Sequence, residues 1–220
     1  MINKELQKRI FSSIILIPIA IFFIFQGTLF FGFFLSIFFL ATSYEWIKMN
    51  KKDLLKFLGA IYLFTITYLA YSLRENFGLN IFIFIIIICI FTDIGGYVFG
   101  KIFKGPKLTK ISPNKTYSGM IGSFIFSIIV GSIYILYQNS FVVFELFILQ
   151  KNDLIFMMIV LFISAISQAG DLIISYFKRL AKVKDTGKLL PGHGGLLDRV
   201  DGIIFAIPFS YLLFNFPCES

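Results

Sequence analysis

The chain is short of what a soluble enzyme of its size uses most. Only 15% of its 220 residues are Asp, Glu, Lys or Arg, one is histidine and two are cysteine. Set against 58% apolar residues and 19% aromatics, so little charge excludes a water-soluble globule. Cys89 lies inside an apolar run and Cys218 near the end, so there is neither a disulfide framework nor a metal-type cysteine spacing. The order G-x-x-x-x-G-K-[ST] is missing, which removes a P-loop. No internal repeat stands out, which counts against a transporter built from inverted halves. At the N-terminus, Lys4, Lys8 and Arg9 precede an apolar run that contains Pro18 and lacks a small-residue cleavage site. An uncleaved first helix is expected there, rather than a signal peptide.

What the chain has instead is long apolar runs. They are continuous rather than alternating, which predicts helices and not a barrel. The expected fold is all-α: a polytopic integral membrane helix bundle forming a single domain over 1–220. Residues 1–92 supply N-terminal spans and 93–205 a catalytic region. Seven spans are expected, at about 10–25, 29–46, 57–73, 79–99, 120–137, 154–177 and 202–216. Arg74, Glu75 and Asn76 read as a polar turn, and 141–149, about half a span in length, as an interfacial segment.

With the N-terminus inside, every Lys and Arg except Arg74 and Lys151 falls on the inner face. The formal net charge of +8 therefore reads as membrane orientation and not as a nucleic-acid partner. The same arrangement puts Asp93 and Asp171 near the inner ends of their spans, and Asp198 and Asp201 just before the last span. Four carboxylates thus lie at one depth beside two basic loops.

The stretch 175–201, S-Y-F-K-R-L-A-K-V-K-D-T-G-K-L-L-P-G-H-G-G-L-L-D-R-V-D, carries most of the chemistry. Charge this dense beside a membrane points to polyanion and metal binding. On a helix, Asp171, Ser175, Lys178 and Lys182 form one stripe, where an Asp171–Lys178 pair bracing two helices competes with ligand binding. Asp198 and Asp201, spaced i and i+3 at the start of the last helix, suit N-terminal capping or Mg²⁺ held against a triphosphate. His193 sits between glycines in a turn that can face a phosphate, or is an ordinary surface histidine. The 101–122 loop places Ser112, Lys115, Thr116 and Ser118 ahead of Gly119 and Gly122, either as an anion site or as a basic loop on lipid headgroups. Asp93, followed by Gly95 and Gly96, reads as a polar wall of the site, with close helix packing as the alternative.

Ser175-x-Phe177-Lys178-Arg179, Lys184-Asp185 and His193-Gly194-Gly195-x-x-Asp198-Arg199-x-Asp201 together resemble the signature of the phosphatidate cytidylyltransferases, the CDP-diacylglycerol synthases. Ser112-Pro113-x-Lys115-Thr116 and Asp93-x-Gly95 resemble further blocks of that family, so the likeness covers about 93–205. It departs at Asn114, where a second lysine is common, and at Ser118, where an acidic residue is common. The resemblance implies CMP transfer from CTP to phosphatidic acid in phospholipid biosynthesis, at a site facing the cytoplasm of a bacterial-type inner membrane. It implies Mg²⁺ on Asp171, Asp198 and Asp201 with K⁺ beside it, and a homodimer. Lys178, Arg179, Lys184, Asp185, His193, Arg199 and Asp201 become the expected catalytic residues. Asp93, Ser112, Lys115, Thr116, Ser175, Gly194 and Gly195 become the expected substrate-binding ones. A CTP-dependent lipid or prenol kinase, and an ion-coupled transporter, are the competing functions.

Overall fold

The computed structural model describes residues 4–109, 111–137, 153–190, 192 and 194–215, with backbone alone for 4–10, 13 and 153. Among these residues the chain is all-helical. The helices are α1 (Lys4–Gln26), α2 (Thr28–Met49), α3 (Asp53–Phe77), α4 (Leu79–Phe103), α5 (Tyr117–Tyr137), α6 (Asp153–Leu180), α7 (Leu197–Val200) and α8 (Ile203–Asn215). Five of them, α2 to α6, are long and apolar enough to cross a membrane, while α8 and the apolar part of α1 are shorter. The chain is an integral membrane protein. The expected interfacial segment at 141–149 lies outside the described residues, and the count of seven spans is not reached by length and composition alone.

Helix boundaries follow the glycines. Gly27, at φ +74°, separates α1 from α2, and Gly78, at φ +88°, separates α3 from α4. The expected polar turn at Arg74, Glu75 and Asn76 is instead the last turn of α3. Arg74 holds its place there by donating from Nε to the Ile24 carbonyl at 2.9 Å, so the break waits for the next glycine. At the other end of the chain the last helix is divided. Asp198 belongs to the four-residue α7, and Asp201 follows it ahead of α8.

The chain divides into two compact units. The first comprises residues 1–79 and 177–201, the second 80–176 and 202–220. The catalytic region expected at 93–205 therefore contributes residues to each. In the first unit, α2 packs on α1 and α3, with Phe31, Leu63, Ile66 and Leu73 buried. In the second, Phe84 meets Phe156 and Tyr134 in a buried aromatic cluster. There α4 and α5 approach at glycines. A Cβ on Gly95 would lie 2.7 Å from the Gly122 carbonyl oxygen, and one on Gly119 would lie 2.7 Å from that of Gly96. Small residues let membrane helices close to this distance, so the packing role of Gly95 and Gly96 is real. The same contact fixes the helix that carries Asp93.

Candidate active site

In the first unit, the basic stretch that follows α6 folds around the C-terminal end of α2. Phe177 meets Trp46 edge-on with ring centroids 5.0 Å apart, and Trp46 Nε1–H donates to the Leu55 carbonyl at 2.8 Å. Next to Trp46 stands Glu45, only 1% exposed. The Leu196 N–H donates to its Oε1 at 2.9 Å. The Leu197 N–H and the Thr186 hydroxyl donate to Oε2 at 2.9 and 3.1 Å. The first N–H groups of a helix have no partner within it. For α7 that partner is a carboxylate brought from a helix about 150 positions earlier.

Asp198 sits on the other side of the same loop. Its Oδ1 pairs with Lys178 Nζ at 2.8 Å, the two side chains being 13% and 8% exposed. Its Oδ2 accepts from the Thr186 N–H at 2.8 Å and the Gly195 N–H at 3.1 Å. It also lies 3.1 Å from the Thr186 hydroxyl, whose one proton is shared between Asp198 and Glu45. The glycines here are required by space. A Cβ on Gly195 would fall 2.5 Å from Glu45 Oε2, and one on Gly187 would fall 2.6 Å from Oε1. Gly194, at φ +87°, closes a bridge in which the Leu190 N–H donates to its carbonyl at 2.9 Å.

The second unit holds a cavity of about 300 Å³. Asp93 and Tyr97 of α4 line it, with Ser112, Asn114, Lys115 and Thr116 of the following loop and Gln168 and Asp171 of α6. Asp171 Oδ2 pairs with Lys115 Nζ at 2.5 Å, and its Oδ1 accepts from the Ser175 hydroxyl at 3.3 Å. Each side chain of the Lys115–Asp171 pair is 26% exposed, more open than the Lys178–Asp198 pair. The loop is braced at its base. The Leu108 N–H donates to the Lys115 carbonyl at 2.7 Å, and Thr116 Oγ1 accepts from the Gly119 N–H at 3.1 Å as an N-cap of α5. Ser118, where the resembled family commonly has an acid, donates to the Lys104 carbonyl. It is a loop brace here.

Within the second unit, the structure gathers Asp93, Ser112, Lys115, Thr116 and Asp171 on one cavity, with Ser175 beside Asp171. Within the first it gathers Lys178, Asp198 and Gly195, with Gly194 in the same turn. Lys184, Asp185 and Arg199 are exposed on or beside this loop, Arg179 is exposed at the end of α6, and Asp201 is half-buried. His193 lies outside the described residues. The stripe expected on α6 holds for Asp171, Ser175 and Lys178. Lys182, however, lies beyond the helix end at φ +59°. The competing Asp171–Lys178 brace does not form, since each residue has another partner.

Three polar residues were missed by sequence reasoning: Glu45, Thr186 and Gln168. The signal for Glu45 was present, because an ionisable side chain inside an apolar run is a site candidate by default. It was passed over in favour of the denser charge downstream. Thr186 and Gln168 carry no sequence signal of their own.

A model of the cytidylyltransferase family matches residues 53–216. The chain belongs to the cytidylyltransferase family. The match takes in the cavity and the whole of the 175–201 stretch, and begins after Glu45. Among curated relatives, the phosphatidate cytidylyltransferase of Staphylococcus haemolyticus (strain JCSC1435) is 35% identical over 182 residues. That of Staphylococcus aureus (strain COL) is 36% identical over 182 residues. In each case 80% of this chain is covered, and the chain spans 65% of the length of the relative.

The Mg²⁺ expected from the resemblance takes hard oxygen ligands, typically one or two carboxylates together with phosphate oxygens of the substrate. The cavity's donor set fits this chemistry. Asp93 and Asp171 supply carboxylates, and Ser112, Asn114, Thr116 and Gln168 supply neutral oxygens. Among the described residues, no three His, Cys, Asp or Glu side chains form a ligand cluster. At Asp198, the Lys178 ammonium already stands where a cation would neutralise the carboxylate.

Proposed function

We propose that this cytidylyltransferase transfers CMP from CTP to phosphatidic acid, yielding CDP-diacylglycerol and pyrophosphate. The observation that supports it best is the family match over 53–216, which encloses both Lys–Asp pairs and the cavity. The Staphylococcus relatives carry the name of this activity. In the reaction, a phosphate oxygen of phosphatidic acid attacks the α-phosphorus of CTP. The bond from that phosphorus to the bridging oxygen breaks, and pyrophosphate departs with the electron pair.

The nucleophile is already an anion, so no strong base is needed. What must be overcome is repulsion between two polyanions and the charge that gathers on the leaving group. Lys115 in the second unit, and Lys178, Arg179, Lys184 and Arg199 in the first, are the cations that meet phosphate oxygens. Ser112 and Thr116 close the nucleotide side, and the turn that carries Gly194 and Gly195 meets phosphate. Asp171 and Asp93 beside it are the carboxylates of the second unit that would hold Mg²⁺, with K⁺ as a second cation. Asp198, paired with Lys178, and Asp201 are the acidic groups of the catalytic loop in the first unit. When bound, the divalent ion would neutralise the triphosphate and the departing pyrophosphate. Asp185 belongs with the catalytic loop through its place beside Gly194.

The basic loops orient the site toward the cytoplasm of a bacterial-type inner membrane, where CTP is available and the lipid substrate lies at the boundary. The working form is a homodimer, a point that mass measurement in detergent tests. The reaction itself is tested with purified protein, labelled CTP and phosphatidic acid, with and without Mg²⁺. Mg²⁺-dependent release of pyrophosphate with formation of CDP-lipid is expected. Release of CDP with a phosphorylated lipid would overturn the proposal in favour of a CTP-dependent lipid kinase.

A further inference from the structure

We infer that Glu45 is a positioning residue of the active site, acting through the loop 183–197 to aim Asp198. The inference rests on the cytidylyltransferase reading for its catalytic consequence, but its geometry stands apart from it. Glu45 belongs to none of the signature blocks and lies ahead of the region the family model matches.

Glu45 is a carboxylate, 1% exposed, in an apolar helix of a membrane protein. Its described hydrogen bonds come from two backbone N–H groups and one hydroxyl, and none of the four described salt bridges includes it. A buried charge is a poor device for stability alone, because an apolar side chain of similar volume usually serves as well or better. The loop, moreover, is shaped to reach it. Gly187 and Gly195 leave room beside its two oxygens that any Cβ would fill. The Thr186 hydroxyl lies 3.1 Å both from Glu45 Oε2 and from Asp198 Oδ2, and its backbone N–H donates to Asp198 at 2.8 Å. Thr186 thus couples the two carboxylates.

The Leu196 and Leu197 N–H groups tie Glu45 to the start of the helix on which Asp198 stands. Two carboxylates of like charge are held on one threonine by donors on every side. Asp198 then has a single orientation, with Oδ1 turned toward Lys178. A side chain that fixes the orientation of a site residue from a distance can change turnover about 100-fold, because a misplacement of about 1 Å is enough.

The test is Glu45→Gln in the full-length protein, assayed in detergent–phosphatidic acid micelles, with Thr186→Val as the milder second variant. Glutamine keeps the shape but presents an NH₂ to at least one donor. Expected is a fall in kcat of about 10–100-fold per folded molecule, with a KM for phosphatidic acid within about threefold of the original. Thr186→Val should lower kcat in the same direction with the KM for phosphatidic acid unchanged, and the double variant should be little worse than Glu45→Gln alone. Amide exchange provides the arm that needs no activity: Leu196 and Leu197 should lose protection in Glu45→Gln. A folded Glu45→Gln protein with unchanged kcat would overturn the inference. So would unchanged protection at both leucines. If Glu45→Gln does not fold, Thr186→Val decides alone, and an unchanged kcat there overturns the inference equally. Original protein that shows leucine protection but no CMP transfer would sink the functional reading and leave the positioning geometry standing.

Discussion

The two Lys–Asp pairs of this chain are built in opposite ways. Asp171, paired with Lys115, stands at an open cavity with Asp93 as a second carboxylate and hydroxyl and amide groups around it. Asp198, paired with Lys178, is enclosed by the backbone of its own loop, which in turn is held by Glu45. In the second unit the polypeptide leaves space and lets a carboxylate face it. In the first, the polypeptide wraps a carboxylate and fixes its direction. The lesson is that equal residue types in one family signature do different physical work. One set is available to a ligand as it stands, while the other sets the geometry of a loop.

The contrast predicts different outcomes for the same substitution, and the largest concerns the two aspartates. Asp171→Asn should lower Mg²⁺-dependent CMP transfer by about 10³-fold or more, since electrostatic stabilisation at the reacting phosphates is lost. Its thermal midpoint should barely move, because a pair this exposed contributes at most about 1 kcal/mol. Asp198→Asn should lose activity to a similar extent and also fold less stably, by roughly 3 kcal/mol, because it leaves the Lys178 ammonium buried without its partner. Activity and melting of both variants in one detergent check the pair of expectations. Equal melting shifts would erase the distinction between open and enclosed sites.

A smaller effect belongs to the cavity wall. Lys115→Ala should raise the KM for CTP about tenfold with kcat changed less, as expected when a phosphate contact is removed from both ground state and transition state. Initial rates over a CTP series read this directly. Smaller again is Thr116→Val, which removes the N-cap of α5 and should cost about 1 kcal/mol of stability. Denaturant midpoints measure it. Smallest is Ser118→Ala. The hydroxyl braces Lys104, and the expected change in kcat/KM is under about threefold, a shift of less than 1 kcal/mol. A larger loss would give position 118 the substrate role that the resembled family's acidic residue suggests.

These differences also show which parts of the molecule could be read beforehand. The all-helical membrane class followed from apolar runs, because a span must satisfy its backbone internally and cover about 20 residues, while the count of seven spans did not. Their ends did not. Arg74, Glu75 and Asn76 look like a turn by polarity, yet α3 continues through them and the break comes at Gly78. The carboxylates, lysine and hydroxyls of the cavity wall were legible because such groups next to glycines are rare in apolar sequence, whereas Gln168 was not. The partners were not. Spacing on α6 offered Lys178 to Asp171, but Lys115 comes from a loop more than 50 positions earlier and no local periodicity encodes that pairing. Glu45 was legible as a charge in an apolar helix, but its role required seeing the distant loop close over it.

The measurement that tests this account most directly follows the phosphorus atoms of CTP. Purified protein is supplied with phosphatidic acid and Mg²⁺, using CTP labelled at the α-phosphorus in one reaction and at the γ-phosphorus in another. The account predicts α-label in the lipid product and γ-label in free pyrophosphate, both lost when Asp171 is replaced by asparagine. Transfer of the γ-label to lipid, or undiminished transfer in the Asp171→Asn protein, would contradict it.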